Sequence, residues 1–149
     1  MTKLFNIAGL RLGYIIGSSE KLKEWNIKRD PWPLNSFAIK AGIELLSNKI
    51  FYEEWITKIH NWVNTEKNWV YKELSKIKNL KVHNSSTNFF LIESKFSLSS
   101  NIHYLENKGI LIRECTSFRF LNENWARISL QTRKNNKILC REIQNSFKK

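Results

Sequence analysis

Three cationic side chains stand out by type and setting. Arg127 interrupts the apolar run Trp125-Ala126-Arg127-Ile128-Ser129-Leu130, and Arg113 follows Ile110-Leu111-Ile112. A charge buried without a partner in such a run is costly. Each arginine is therefore expected either to grip an anion with its planar fork or to stand on a solvated strand face. Lys3 offers an amine, but one lysine near a chain start, in a chain rich in lysine, has no meaning until its neighbours give it one. Asn88 could serve a ligand or simply a turn or strand end. His60, His83 and His103 lack metal-ligand spacing, Cys115 and Cys140 form no CxxC pair, and Cys115 has no histidine near it in sequence. Metal and thiol chemistry are therefore not expected.

The pattern around these residues predicts the elements that hold them. Leu12 to Ile16, between Gly9 and Gly17-Ser18-Ser19, reads as a short buried strand. Ser18 or Ser19 can cap a following helix through Leu22 and Trp25, which Asp30-Pro31-Trp32-Pro33 ends. Asn35 or Ser36 can cap a second helix from about Phe37 to Ser47, burying Ala38, Ala41, Ile43, Leu45 and Leu46. From Phe51 to Ile77 the residues Tyr52, Trp55, Ile56, Ile59, Trp62, Val63, Val70, Leu74 and Ile77 recur at helical spacing. They predict one helix of roughly 40 Å whose aromatic stripe is a core face. Beyond it, Leu80–Val82, Phe89–Ile92, Ile110–Ile112 and Ala126–Leu130 read as strands, with helices near Leu98 to Asn107 and Arg133 to Phe147. Gly109 suits a helix C-cap.

The chain has 149 residues, 42% hydrophobic, with six Trp, four Tyr and nine Phe, enough for a packed core. Its net charge of +12 would suit an acidic partner. The basic residues are scattered, however, and lysine, asparagine and isoleucine are all abundant, as compositional bias would produce. Nucleic-acid binding is not expected. No run of about 18 apolar residues predicts a membrane helix, Asn6 and Arg11 interrupt any signal-like start, and the sparse cysteines fit a reduced cytoplasmic setting.

The segment Thr2-Lys3-Leu-Phe-Asn-Ile-Ala-Gly9-Leu10-Arg11-Leu12-Gly13-Tyr14 resembles the S-x-T-K-x-x-x-x-x-G-x-R-x-G signature of class I/II aminotransferases, enzymes dependent on pyridoxal 5'-phosphate (PLP). The similarity continues through Asp30-Pro31-Trp32-Pro33-Leu34-Asn35-Ser36, Thr87-Asn88-Phe89-Phe90, Ile112-Arg113-Glu114-Cys115-Thr116-Ser117-Phe118 and Ala126-Arg127-Ile128-Ser129. Within the family it leans to the branch holding threonine-phosphate decarboxylase of cobalamin synthesis and histidinol-phosphate aminotransferase, and toward the decarboxylase.

The resemblance implies roles. Lys3 would condense with the PLP aldehyde and move protons at the substrate α-carbon. Arg11 would hold the cofactor phosphate and Thr2 would also bind the cofactor, with Gly9 and Gly13 allowing close backbone approach. Arg127 would pair with the substrate α-carboxylate, Arg113 with a second anion such as a substrate phosphate, and Asn88 would lie near the substrate. The fold implied is α/β to α+β, the C-terminal part of a PLP enzyme of fold type I. Residues 1–50 would be a remnant of the large PLP-binding domain, 51–77 the long connecting helix, and 78–149 a small α+β domain. The full-length enzyme would be a homodimer. The family's serine before the lysine, its aspartate under the pyridine nitrogen and its ring-stacking aromatic have no counterpart here. Two outcomes follow: a fragment whose residues act only with the rest of the enzyme, or a catalytically silent stand-alone binding protein. An unrelated basic helical module would require the in-register matches to be accidental. The strand at Leu12 to Ile16 is expected at an exposed edge that favours self-association.

Overall fold

The computed structural model describes residues 1–148, which fall into two compact units, the first Met1–Ile59 and the second beginning at His60. The division falls inside one helix. The architecture is mixed, with five α-helices and a small antiparallel sheet among the described residues.

In the first unit, residues 2–6 form a tight turn and Ala8–Leu10 a single 3-10 turn. Helix α1 (Ser19–Ile27) starts where Ser18 accepts from the Lys21 N–H, and α2 (Ser36–Ser47) where Asn35 accepts from the Ala38 N–H at 2.8 Å. Helix α3 (Lys49–Leu74) covers most of the predicted long helix. Its end comes early because Ile77 bonds back to Leu74 in a tighter turn.

Two expectations fail in this unit. Leu12 to Ile16 forms no strand, and Tyr14, Ile15 and Ile16 are 64%, 66% and 86% exposed. A strand exists through its ladder, and no neighbouring strand offers one in this unit. Helix α2 buries only Ala38, while Ile43 and Leu46 are half exposed. Its apolar stripe is present but has too little opposite it.

The second unit contains the core. Strands β1 (Leu80–Val82), β2 (Phe89–Ser94), β3 (Arg113–Glu114) and β4 (Trp125–Ser129) form an antiparallel sheet in the order β1-β2-β4-β3. Helices α4 (Ser99–Glu106) and α5 (Arg133–Ser146) complete it. Alternation sends Val82, Phe90, Ile92, Ala126 and Ile128 into one cluster with Val70, Leu74, Leu105 and Ile143 from the helices. Complete burial of a side chain such as Phe90 contributes roughly 2–3 kcal/mol. The predicted strand at Ile110–Ile112 is instead a connector, and the pairing begins at Arg113. Gly109, at φ +71°, turns the chain out of α4, and Ile110 and Ile112 then pack sideways against the core.

One buried polar cluster fixes α5 against α3. Glu66 is buried; Arg133 Nε donates to both of its oxygens at 3.0 Å, and Asn136 Nδ2 to one at 2.8 Å. The Arg133 guanidinium also lies over Trp69 at 4.7 Å. The Arg133 hydrogen bond, aided by Asn136, holds the Glu66 carboxyl below its ordinary 4.5 despite burial. A lowered carboxylate pKa adds stability that is full above 4.5 and is lost as pH falls through the folded value. Solvent reaches Arg133, so Glu66→Gln is expected to cost about 2 kcal/mol at pH 7. In urea titrations, the gap between parent and variant should narrow below pH 4.5; a pH-independent gap would refute this role.

The bare backbone of Leu12 to Ile16 generates a second expectation. Such edges pair with one another, so sedimentation should show concentration-dependent association that Ile15→Pro reduces. A monodisperse monomer across a wide concentration range refutes it.

Candidate functional site

Helix α3 anchors the turn bearing Lys3. Trp55 Nε1 donates to the Leu4 carbonyl at 2.9 Å, and the Phe5 ring lies 6.2 Å from Tyr52 and 6.3 Å from Trp55. These contacts hold both residues that follow Lys3. The Lys3 side chain is exposed and makes no hydrogen bond or ion pair among the described residues. Thr2 beside it is partly buried, and its carbonyl accepts from the Ile7 N–H.

Arg11 closes the 3-10 turn with φ +54°, and one guanidinium N–H donates to the Ala8 carbonyl at 3.2 Å. Its remaining donors are open. They border a groove of about 650 Å³, which Tyr14, Trp25 and Arg29 also line and no carboxylate does.

The second group of candidates meets on the open face of the sheet. In β4, Ala126 and Ile128 point into the core, so Arg127 faces solvent. The solvated alternative thus describes its burial. Register places Leu91 opposite Arg127 on one side and Arg113 on the other. Directly opposed side chains share a face, and like charges there repel. Neither arginine has an ion-pair partner among the described residues. Each lies instead on a ring: Arg127 over Phe89 at 4.9 Å and Arg113 over Phe118 at 5.7 Å, with Arg113 Nη2 donating to Ser117 Oγ at 3.0 Å. Asn88 lies at the head of β2, where its carbonyl accepts from the Leu130 N–H at 2.8 Å.

The carboxylate on this face is already engaged. His83 Nε2 lies 2.8 Å from Glu93 Oε2, Lys81 Nζ 3.4 Å from it, and the imidazole stacks on Trp125 at 4.9 Å. The His83 hydrogen bond foremost, with Lys81, lowers the Glu93 carboxyl. Burial raises the Cys115 thiol, although Arg127 and Arg113 oppose the rise, and in the core burial pushes the Cys140 thiol up to about 12. In both, the raised pKa disfavours the thiolate near neutrality.

Lys3, Thr2 and Arg11 thus belong to the first unit, and Asn88, Arg113 and Arg127 to the second. The sequence did not single out Phe89, Ser117 or Phe118 as supports. Strand alternation could have paired Phe89 with Arg127 only once the β2–β4 register was known.

The sequence profile described as aminotransferase class I and II matches residues 1–143. The chain belongs to that family. It is 32% identical over 145 residues to histidinol-phosphate aminotransferase of Caldanaerobacter subterraneus subsp. tengcongensis, covering 97% of this chain and 39% of that protein. Among solved structures it resembles L-threonine-O-3-phosphate decarboxylase from Porphyromonas gingivalis, with a TM-score of 0.86 and 28% identity over 99% of this chain and 45% of that one. It also shares the fold of histidinol-phosphate aminotransferase from Sinorhizobium meliloti in complex with PLP, with a TM-score of 0.79 and 18% identity over 98% and 39% of the two chains. This aminotransferase-family chain therefore spans about two fifths of the length of the relatives it matches.

The opposed arginines generate a stability test. Removing one relieves repulsion and sacrifices only solvent-exposed contacts, so Arg113→Gln should raise stability by about 0.2–1 kcal/mol at low salt, a gain that shrinks as salt screens the pair. A clear loss in urea titrations would mean that Arg113 is a structural residue.

Proposed function

We propose that the chain carries the reactive lysine and the substrate-gripping arginines of a PLP-dependent enzyme acting on an amino acid or amino-acid phosphate. The first reading is an L-threonine-O-3-phosphate decarboxylase-like reaction, supported by the likeness to the Porphyromonas decarboxylase. Histidinol-phosphate or another class I/II aminotransfer is the second, supported by the Caldanaerobacter relative. The observation that carries the proposal is the opposition of Arg113 and Arg127 without a counter-ion. Two adjacent guanidinium groups on rings, with the nearby carboxylate engaged elsewhere, suit a substrate bearing two anionic groups.

The residues of the first unit fit the cofactor by their donor chemistry. Lys3 presents an uncommitted amine, and Arg11 a fixed guanidinium with one N–H bound and the others open. PLP supplies an aldehyde and an electron-withdrawing ring that makes bonds at the substrate α-carbon labile. The chain's own residues do the rest. Arg11 and Thr2 hold the phosphate, and Lys3 gives and takes the proton at the α-carbon. Arg127 holds the α-carboxylate and so sets which α-carbon bond is presented for cleavage. Arg113 takes the second anion, and Asn88 borders the substrate.

In this reading residues 1–50 belong to the large PLP-binding domain, 51–77 to the connecting helix and 78–149 to the small domain. The enzyme works as a homodimer in the cytoplasm; no described helix is long and apolar enough to cross a membrane.

Incubation with PLP, borohydride reduction and peptide mass spectrometry tests it. Lys3 should be the dominant labelled lysine, with labelling weakened about tenfold by Arg11→Ala through loss of charge-assisted contacts. Label spread over many lysines would refute the assignment for this chain.

A further inference from the structure

Glu93 has cationic neighbours on both sides and pairs with those of one side only. Strand β2, which carries it, runs between β1 and β4. On the β1 side Lys81 stands directly opposite Glu93. His83, whose backbone N–H donates to the Leu91 carbonyl at 2.9 Å, is the next residue on that face. On the β4 side Trp125 is directly opposite, and Arg127, opposite Leu91, is the next on that face. Diagonal neighbours of this kind lie about 7–8 Å apart, within reach of long side chains. Register alone therefore lets Glu93 serve either His83 or Arg127. The side chains choose. Glu93 Oε2 lies 2.8 Å from His83 Nε2 and 3.4 Å from Lys81 Nζ. The Arg127 guanidinium leans the other way, over Phe89 at 4.9 Å, and Phe89 is opposite Ser129, on the diagonal away from Glu93. Two opposite charges within reach of each other on one face are thus turned apart.

We propose that His83 and Lys81 are positioning residues for Arg127: by holding the Glu93 carboxylate on the β1 side, they keep the Arg127 guanidinium free for an anion from outside the chain. This rests on the reading of Arg127 as a substrate grip and adds what keeps that grip open. The His83 ring is fixed for the task, stacked on Trp125 at 4.9 Å, with its side chain and that of Glu93 each about one third exposed. Phe89 alone does not secure the guanidinium. An exposed cation–π contact and an exposed ion pair are of similar strength, so a released carboxylate beside Arg127 would compete with the ring.

Phenylglyoxal, which condenses with free guanidinium groups, reads the state of Arg127 in the whole chain by peptide mass spectrometry, with Arg141 of α5 as internal reference. Lys81→Met with His83→Phe keeps a ring against Trp125 and removes both donors to Glu93. In that double variant Arg127 should react about two- to fivefold more slowly than in the parent, the protection given by an exposed ion pair. Adding Glu93→Gln should restore the parent rate. Lys81→Met with His83→Gln, which keeps an N–H donor for the carboxylate, should stay near it. Glu93→Gln alone should change little, because in the parent Glu93 is not on Arg127. Circular-dichroism melts check that the variants remain folded. A double variant whose Arg127 reacts like the parent's, slowing that persists without the Glu93 carboxylate, or faster reaction in Glu93→Gln alone each overturns the inference. O-phospho-L-threonine separates it from the substrate reading, since it should protect Arg127 in the parent. If it does not, while the Glu93-dependent slowing remains, the positioning role stands and the substrate reading of Arg127 falls.

Discussion

Strand β4 lies between β2 and β3, and its alternation decides which residues meet water. Ala126 and Ile128 lie under the helices, while Arg127 stands on the opposite face. A slip of one residue would exchange the two sets, burying a guanidinium among Phe90, Ile92 and Ile143 and exposing the core. That penalty is far larger than any single surface contact. The register is also held at both ends of the β2–β4 pair, where Leu130 donates to the Asn88 carbonyl and Ser94 to the Asn124 carbonyl, each at 2.8 Å. Hydrophobic burial thus fixes the position of a charge that contributes nothing to burial itself.

The same register sets the electrostatics of the open face. It opposes Arg127 to Arg113, an arrangement that folding alone does not favour. The rings of Phe89 and Phe118 recover part of the cost by cation–π contact. The carboxylate that could have neutralised the pair, Glu93, is held by His83 and Lys81 toward Trp125. A stable fold would gain from an acidic residue beside the arginines. Its absence leaves the pair's charge for something outside the chain, which is why this face supports the functional reading better than burial or cavity size does.

Much of the second unit was legible because local and tertiary signals agree there. Leu80–Val82 alternates and forms the strand β1 over those residues. The helical period near Arg133 begins at a Thr132 cap and continues through buried Leu139 and Ile143. Ile110–Ile112 misled because three apolar residues after a glycine satisfy a strand template, whereas the packing needs only Ile110 and Ile112 turned inward. In the first unit the local signals were read correctly and the tertiary ones had nothing to act on. The Ser18 and Asn35 caps formed, yet Leu12 to Ile16 found no ladder and α2 found little to bury against. Among the candidate site residues, the apolar setting marked Arg127 and Arg113, whereas composition and spacing alone left Lys3 indistinguishable from the other lysines, and only the signature singled it out.

The first unit shows how the turn bearing Lys3 is held where hydrophobic burial is sparse. Only Ala38 among its residues is fully buried, so a large core does not set the position of Lys3. Two kinds of contact replace it. The Trp55 indole donates to the Leu4 carbonyl, which fixes the backbone one residue after the lysine, and Phe5 lies against Tyr52 and Trp55, which fixes the direction of the chain. Both partners come from α3. Held this way, the backbone is constrained while the amine stays uncommitted. The role proposed for Lys3 calls for that combination, because an amine already paired with a carboxylate would have to break that pair before it could react with an aldehyde.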